Sequence, residues 1–142
     1  IEDAQSMMNE GYRNSSIYGM LGYFKLLRND DLDETTKLCE EAYDYNSDDR
    51  DIKDNLSICY FRKGEYEKAE KISDELVGSA PNFVEGFYHG IQIAMKLNKY
   101  DKAAEYAEKL KECKRSGMTT VTEEEVNKLI QEVKNHNENT IG

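Results

Sequence analysis

The stretch Lys63-Gly64-Glu65-Tyr66-Glu67-Lys68-Ala69-Glu70 returns as Leu97-Asn98-Lys99-Tyr100-Asp101-Lys102-Ala103-Ala104, displaced by 34 residues. A weaker copy, Asn29-Asp30-Asp31-Leu32-Asp33-Glu34-Thr35-Thr36, stands a further 34 residues upstream. In each, a polar turn leads into an apolar or aromatic residue, and a small residue follows three positions on. Repetition at this period marks units that stack, because one unit alone cannot bury its apolar face.

Helical stripes flank each turn. In the middle copy Ile52, Leu56, Cys59 and Tyr60 recur at helical spacing, and Tyr66, Ala69, Ile72 and Leu76 form a second stripe. The last copy gives Phe87, Ile91 and Ala94, then Tyr100, Ala103, Ala107 and Leu110. The unit is a helix, a tight turn and a second helix. Gly64 suits the turn because it tolerates positive φ at a helix C-terminus. Gly78-Ser79-Ala80-Pro81-Asn82 closes the second helix, since Pro cannot continue it.

This pattern resembles the tetratricopeptide repeat, whose signature is an aromatic, Leu-Gly, an aromatic, then Ala and a late Pro. Tyr18, Leu21 and Gly22 match in the first copy; Leu56, Tyr60, Gly64, Tyr66, Ala69 and Pro81 in the second; Phe87, Tyr100 and Ala103 in the third. Trp is absent and one copy keeps the Pro. Two registers are open for the first copy, and matching Leu21-Gly22 requires an extra residue near Asp30-Asp31. The resemblance implies an all-α, right-handed superhelical solenoid of antiparallel helix pairs, about three repeats with flanking helices. The expected repeats are residues 15–49, 50–83 and 84–117.

Ala4, Met7, Met8 and Tyr12 recur at helical spacing, so residues 1–14 are expected to be the second helix of a truncated repeat. Thr122-Glu123-Glu124-Glu125 reads as a capping box that opens a helix buried through Val126, Leu129, Ile130 and Val133. A capping helix is expected over 118–136 and a frayed polar tail over 137–142. Because the chain starts at Ile1 rather than Met, it is expected to be a piece of a longer protein. The wording of Tyr18 to Asp48 and Thr119 to Glu125 is similar to bacterial tetratricopeptide proteins, some with membrane segments before the repeats.

The 142 residues suit one domain with its own core. With 29 Asp and Glu against 19 Lys and Arg, the net charge is -10, which repels a phosphate backbone and argues against nucleic acid. No basic amphipathic face offers direct membrane contact. The longest apolar stretch, Ile17 to Leu27, falls short of the roughly 20 positions a bilayer requires. Cys39, Cys59 and Cys113 are three and widely spaced, which fits a reducing compartment and neither a disulfide framework nor a metal motif. The expected location is the cytoplasm, free or as the cytoplasmic part of a membrane-anchored protein.

Nothing in the chain reads as a catalytic, cofactor or metal site. The histidines are His89 and His136, with no local Cys partner for nucleophilic work. The cysteines read as small apolar groups in the packing. The runs Asp30-Asp31-Leu32-Asp33-Glu34 and Asp48-Asp49-Arg50-Asp51 fail the calcium-loop pattern. Both sit where a helix begins, where carboxylates offset the positive end of its dipole. No phosphate-binding glycine loop is present, so no enzyme activity is expected.

The resemblance implies a groove lined by the first helix of each repeat. On this chain its wall is Met20, Tyr23, Phe24 and Leu27, then Asp54, Asn55, Ile58 and Phe61, then Glu85, Tyr88, His89 and Gln92. The family's basic clamp for a C-terminal carboxylate finds one matching position of five, Asn55, and Glu85 has the wrong sign. The implied function is a non-catalytic protein-interaction scaffold whose partner is a polypeptide with apolar anchors and a basic flank. Two alternatives stay open: an accessory domain of a larger enzyme or membrane protein, and a self-associating repeat. Ile17 to Leu27 is apolar nearly all round, as a helix buried on both sides would be.

Overall fold

The computed structural model describes residues 14–113 and 121–141, with side chains to Asn137. Residues 1–13 of the expected helix over 1–14, and the end of the third expected repeat, 114–117, lie outside these residues. Seven helices are present among the described residues: α1 (Ser15–Leu27), α2 (Leu32–Tyr45), α3 (Arg50–Arg62), α4 (Tyr66–Ser79), α5 (Val84–Lys96), α6 (Tyr100–Glu112) and α7 (Glu123–Ile141). No strand occurs among them.

Local chemistry places the helix starts. Asn14, Asp31 and Asp49 each accept a backbone N–H from three residues on, from Ile17 at 2.9 Å, Glu34 at 2.9 Å and Ile52 at 3.0 Å. The acidic runs therefore begin α2 and α3. Before α7, Glu125 N–H donates to Thr122 Oγ1 at 3.1 Å while Thr122 N–H donates to Glu125 Oε1 at 3.2 Å, a reciprocal capping box.

The turns settle the register of the first copy. Asn29, Gly64 and Asn98 adopt φ of 55°, 80° and 59°, the left-handed conformation that ends a helix cheaply only for Gly and, less so, Asn. The loop 28–31 between α1 and α2 has one residue more than the loops 63–65 and 97–99. Leu21-Gly22 thus stands at Leu56-Ser57, with the extra residue in the Asp30-Asp31 loop.

The chain forms two compact units that divide between Ile72 and Ser73, inside α4. In the first, Ile17, Tyr18, Leu21, Ala42 and Ile52 form one buried cluster, and Leu26, Cys39, Leu56, Cys59 and Ile72 a second. Helices α1 and α3 run side by side in the same direction. Asn55 donates its side-chain N–H to the Gly19 carbonyl at 2.9 Å, and Arg62 donates to the Leu26 carbonyl at 3.0 Å. Gly22 permits this approach, for a Cβ there would lie 3.0 Å from Asn55 Nδ2 and 3.3 Å from Cys39 Sγ.

In the second unit Val84, Phe87, Ile91 and Ala94 of α5 meet Ala103, Tyr106, Ala107 and Leu110 of α6 in one core. Helix α7 adds Val126, Leu129, Ile130 and Val133 to it. Tyr106 donates its hydroxyl to Asp74 at 2.9 Å, and Lys102 pairs with the same carboxylate at 2.8 Å. Helix α7 continues to Ile141, past residue 136 where the sequence reading ended it. His136 stacks on Tyr100 at 3.6 Å between ring centres, and Gln131 donates to Asn135 at 2.9 Å.

Candidate functional site

Helix α1 departs from the expectation of burial on both sides. Ile17, Tyr18, Leu21 and Leu26 are buried, whereas Met20, Tyr23 and Leu27 are 45%, 38% and 59% exposed. These three lie at i, i+3 and i+7, so they form a single row on the open side of the helix. Phe24 joins the row half-buried, its ring 5.8 Å from that of Tyr23. The amphipathic division was hidden because both sides of the helix are apolar.

Helix α3 lies alongside and brings the half-buried Ile58 and Phe61. Phe61 is fixed edge-on to Tyr66 at 5.5 Å. Asp54 and Asn55, expected in the groove wall, are buried at 9% and 5% exposure. Asn55 works as a strut, its amide held by Gly19 of the neighbouring helix. Asp51, whose side chain is 64% exposed and pairs with Arg50 at 3.5 Å, supplies an accessible acidic group at the start of α3. Sequence reasoning listed Arg62 nowhere, although its bond to the Leu26 carbonyl helps fix the spacing of the two helices. Only the periodicity of a basic residue at a helix C-terminus hinted at it.

The remaining expected groove residues sit on α5 in the second unit. Glu85 is buried, and Tyr88, His89 and Gln92 are half-buried. Tyr88 packs against the core that α7 completes. Burial pushes its phenol above the ordinary value, with Glu125 and Glu132 of α7 adding to the effect. Its ring meets His89 edge-on at 5.7 Å. Tyr88 is therefore in part a packing residue, and its removal disturbs the fold as well as any surface it offers.

Among the described residues, no group of three or more His, Cys, Asp or Glu side chains is placed to hold a metal ion. No helix among them is long and apolar enough to cross a membrane. The second unit also has an open cleft of about 670 Å³ whose lining includes Asp74, Lys102, Tyr106 and Lys109. Lys102 and Tyr106 are both engaged by Asp74, which ties α4 to α6.

With this geometry in hand, the similarities to known proteins fall into one group. Residues 26–86 match the model of a family described as tetratricopeptide repeat. No curated protein matches the chain significantly in sequence. Among solved structures, the Sgt2 domain from Aspergillus fumigatus superposes with a TM-score of 0.76 at 17% identity, covering 89% of this chain and 80% of that one. The first such domain of Spaghetti (RPAP3), bound to the HSP90 peptide SRMEEVD, gives 0.72 at 14% identity, covering 86% and 91%. YrrB, described as having an unusual peptide-binding site, gives 0.70 at 16% identity, covering 93% of this chain and 62% of that one.

Proposed function

We propose that the α1–α3 face binds a segment of another polypeptide, a reading supported by the match of residues 26–86 to the tetratricopeptide repeat model and by the all-α helix-pair fold. The observation that carries this reading is the exposed row Met20, Tyr23 and Leu27. Burying a large apolar side chain is worth about 1.5–3 kcal/mol, and a central row of this kind is where binding energy concentrates. The struts Asn55 and Arg62 hold the two helices at fixed spacing, so the face is preorganised and loses little entropy on binding.

Partner chemistry follows from charge. The chain's net charge of -10 favours a segment with apolar anchors and a basic flank. The acidic peptide carried by the RPAP3 domain has the same sign as this chain's net charge. Asn55 is also committed to Gly19 rather than free for a carboxylate. The reading is of a non-catalytic scaffold in a reducing, cytoplasmic setting, supported by the absence of any nucleophile–base motif in the sequence and by its three unpaired cysteines.

The test is fluorescence anisotropy with synthetic peptides holding two apolar anchors and a Lys/Arg flank, against peptides with an Asp/Glu flank. Combining Tyr23→Ala with Leu27→Ala is expected to weaken binding by about 30-fold or more, the effect of losing one strong anchor. Lys68→Ala, at an exposed position of α4, should leave binding unchanged. Equal loss with Lys68→Ala would overturn the site, and preference for the acidic flank would overturn the charge argument. Light scattering that shows a dimer dispersed by the Tyr23/Leu27 pair would reassign the face to a second copy.

A further inference from the structure

Cys39 and Cys59 are separated by 20 residues in sequence and 3.6 Å in space, sulfur to sulfur. Both are free thiols, one on α2 and one on α3, exposed by only 2% and 0%. Leu26, Leu56 and Ile72 wall them in. Gly22 of α1 adds the third side, because any Cβ there would sit 3.3 Å from Cys39 Sγ. A disulfide requires the sulfurs at about 2.05 Å, so a closure of roughly 1.5 Å converts the contact into a bond.

We propose that Cys39 and Cys59 are a peroxide-responsive thiol pair that closes to a disulfide tying α2 to α3. One of the two sulfurs, as its thiolate, attacks one oxygen of hydrogen peroxide. The O–O bond breaks, and the departing hydroxide takes up a proton to leave as water. That cysteine is left as a sulfenic acid. The other sulfur then attacks the oxidised one; the S–S bond forms, the S–O bond breaks, and the hydroxide leaves as a second water with the second thiol's proton. In sum two thiols and one peroxide give one disulfide and two waters, the sulfurs losing two electrons to the peroxide.

The Cys59 thiol donates to the Cys39 sulfur at 3.6 Å, so the two sulfurs already share one proton-linked contact before any oxidation. Cys113 lies in the second unit and packs against the Pro81 and Lys109 carbonyls, with burial raising its pKa, so it stands outside the pair.

The test exposes the whole chain to hydrogen peroxide, then denatures and alkylates it and reads the intact mass and the Tm. Expected are the loss of two hydrogens, one alkylated cysteine of the three, and a peptide joining Cys39 to Cys59. The Tm should rise on the order of 5–10 °C and fall back with dithiothreitol, since the bond closes a loop of the unfolded chain. The Cys113→Ala chain should show no alkylated cysteine after peroxide. Three alkylated thiols, added oxygen without loss of hydrogen, or a crosslink through Cys113 would overturn the proposal. A lower Tm in the bonded form would equally overturn it, since the bond would then distort the packing of α2 on α3.

Discussion

Replacing Gly22 by Ala tests the close approach of α1 to its neighbours, because two opposed effects meet at that position. Mid-helix Gly→Ala by itself stabilises by about 1 kcal/mol. Here the added methyl would sit 3.0 Å from Asn55 Nδ2 and 3.3 Å from Cys39 Sγ, where comfortable contact needs about 3.5–4.0 Å. Neither neighbour is free to give way. Asn55 holds the Gly19 carbonyl at 2.9 Å, and losing that buried bond costs about 1–1.5 kcal/mol. Cys39 is backed by Cys59 at 3.6 Å. Overpacking of about 1–3 kcal/mol therefore outweighs the propensity gain, for a net loss of about 1 kcal/mol and a Tm drop of about 2–4 °C. Gly78→Ala is the control, for nothing lies within 4 Å of its added methyl, and it should stabilise by about 0.5 kcal/mol. Urea denaturation followed by circular dichroism gives both values. A Gly22→Ala chain as stable as Gly78→Ala would refute the argument. The double variant Gly22→Ala with Asn55→Ala should lose less than the sum of the singles by about 1 kcal/mol, because removing the amide opens the space the methyl needs.

Thr122→Ala removes the cap of α7 and should cost about 1 kcal/mol, read as a lower urea midpoint with an unchanged slope. Tyr106→Phe deletes the 2.9 Å bond to Asp74 while sparing the ring's packing against Phe87, and a loss of about 1 kcal/mol is expected in the same assay. Stability should also fall at alkaline pH. Burial, then the 2.8 Å bond to Glu40, pushes the Tyr60 phenol above its ordinary value, and burial does the same to Tyr88. A pKa raised in the fold means its contribution is intact below the unfolded value of about 10 and is lost as pH rises through the folded value. Ultraviolet titration should show Tyr60 and Tyr88 ionising late, and Tyr60→Phe should flatten the alkaline loss.

Much of the fold was legible because it is written in local signals. The stripe Ile52, Leu56 and Cys59 is buried, as are Ala69, Ile72 and Leu76, since a helix of fixed period can turn only one such face inward. Asp31, Asp49 and Thr122 mark helix starts because their side chains satisfy backbone donors three residues away, a relation internal to the sequence. The candidate site was less legible because its geometry depends on neighbours distant in the chain. Asn55 sits at a family groove position yet points into the α1 backbone, a choice decided by the approach that Gly22 allows. Cys39 and Cys59 are on different helices, and only the antiparallel packing of α2 on α3 brings them together. Tyr88 read as a surface group until α7 was seen to complete the core against it.

Helix α1 shows why uniform hydrophobicity conceals function. Its buried side is explained by folding: Ile17, Tyr18, Leu21 and Leu26 fill the two clusters of the first unit. The packing of the described residues gives no reason for the other side. Met20, Tyr23 and Leu27 are among only four large apolar side chains exposed in the described structure, and the fourth, Tyr45, lies against Tyr18 at 5.3 Å. Isolated exposed apolar residues are ordinary on any surface. Three aligned on one helix, in a chain with mean hydropathy of -0.85, are a concentration that scattered placement does not produce. Polar residues at these positions would cost the core nothing, because the side chains leave it. A contact from outside the described residues, made by the rest of the chain, a second copy or another polypeptide, would account for their apolar character, and that contact is what the Tyr23 and Leu27 substitutions probe.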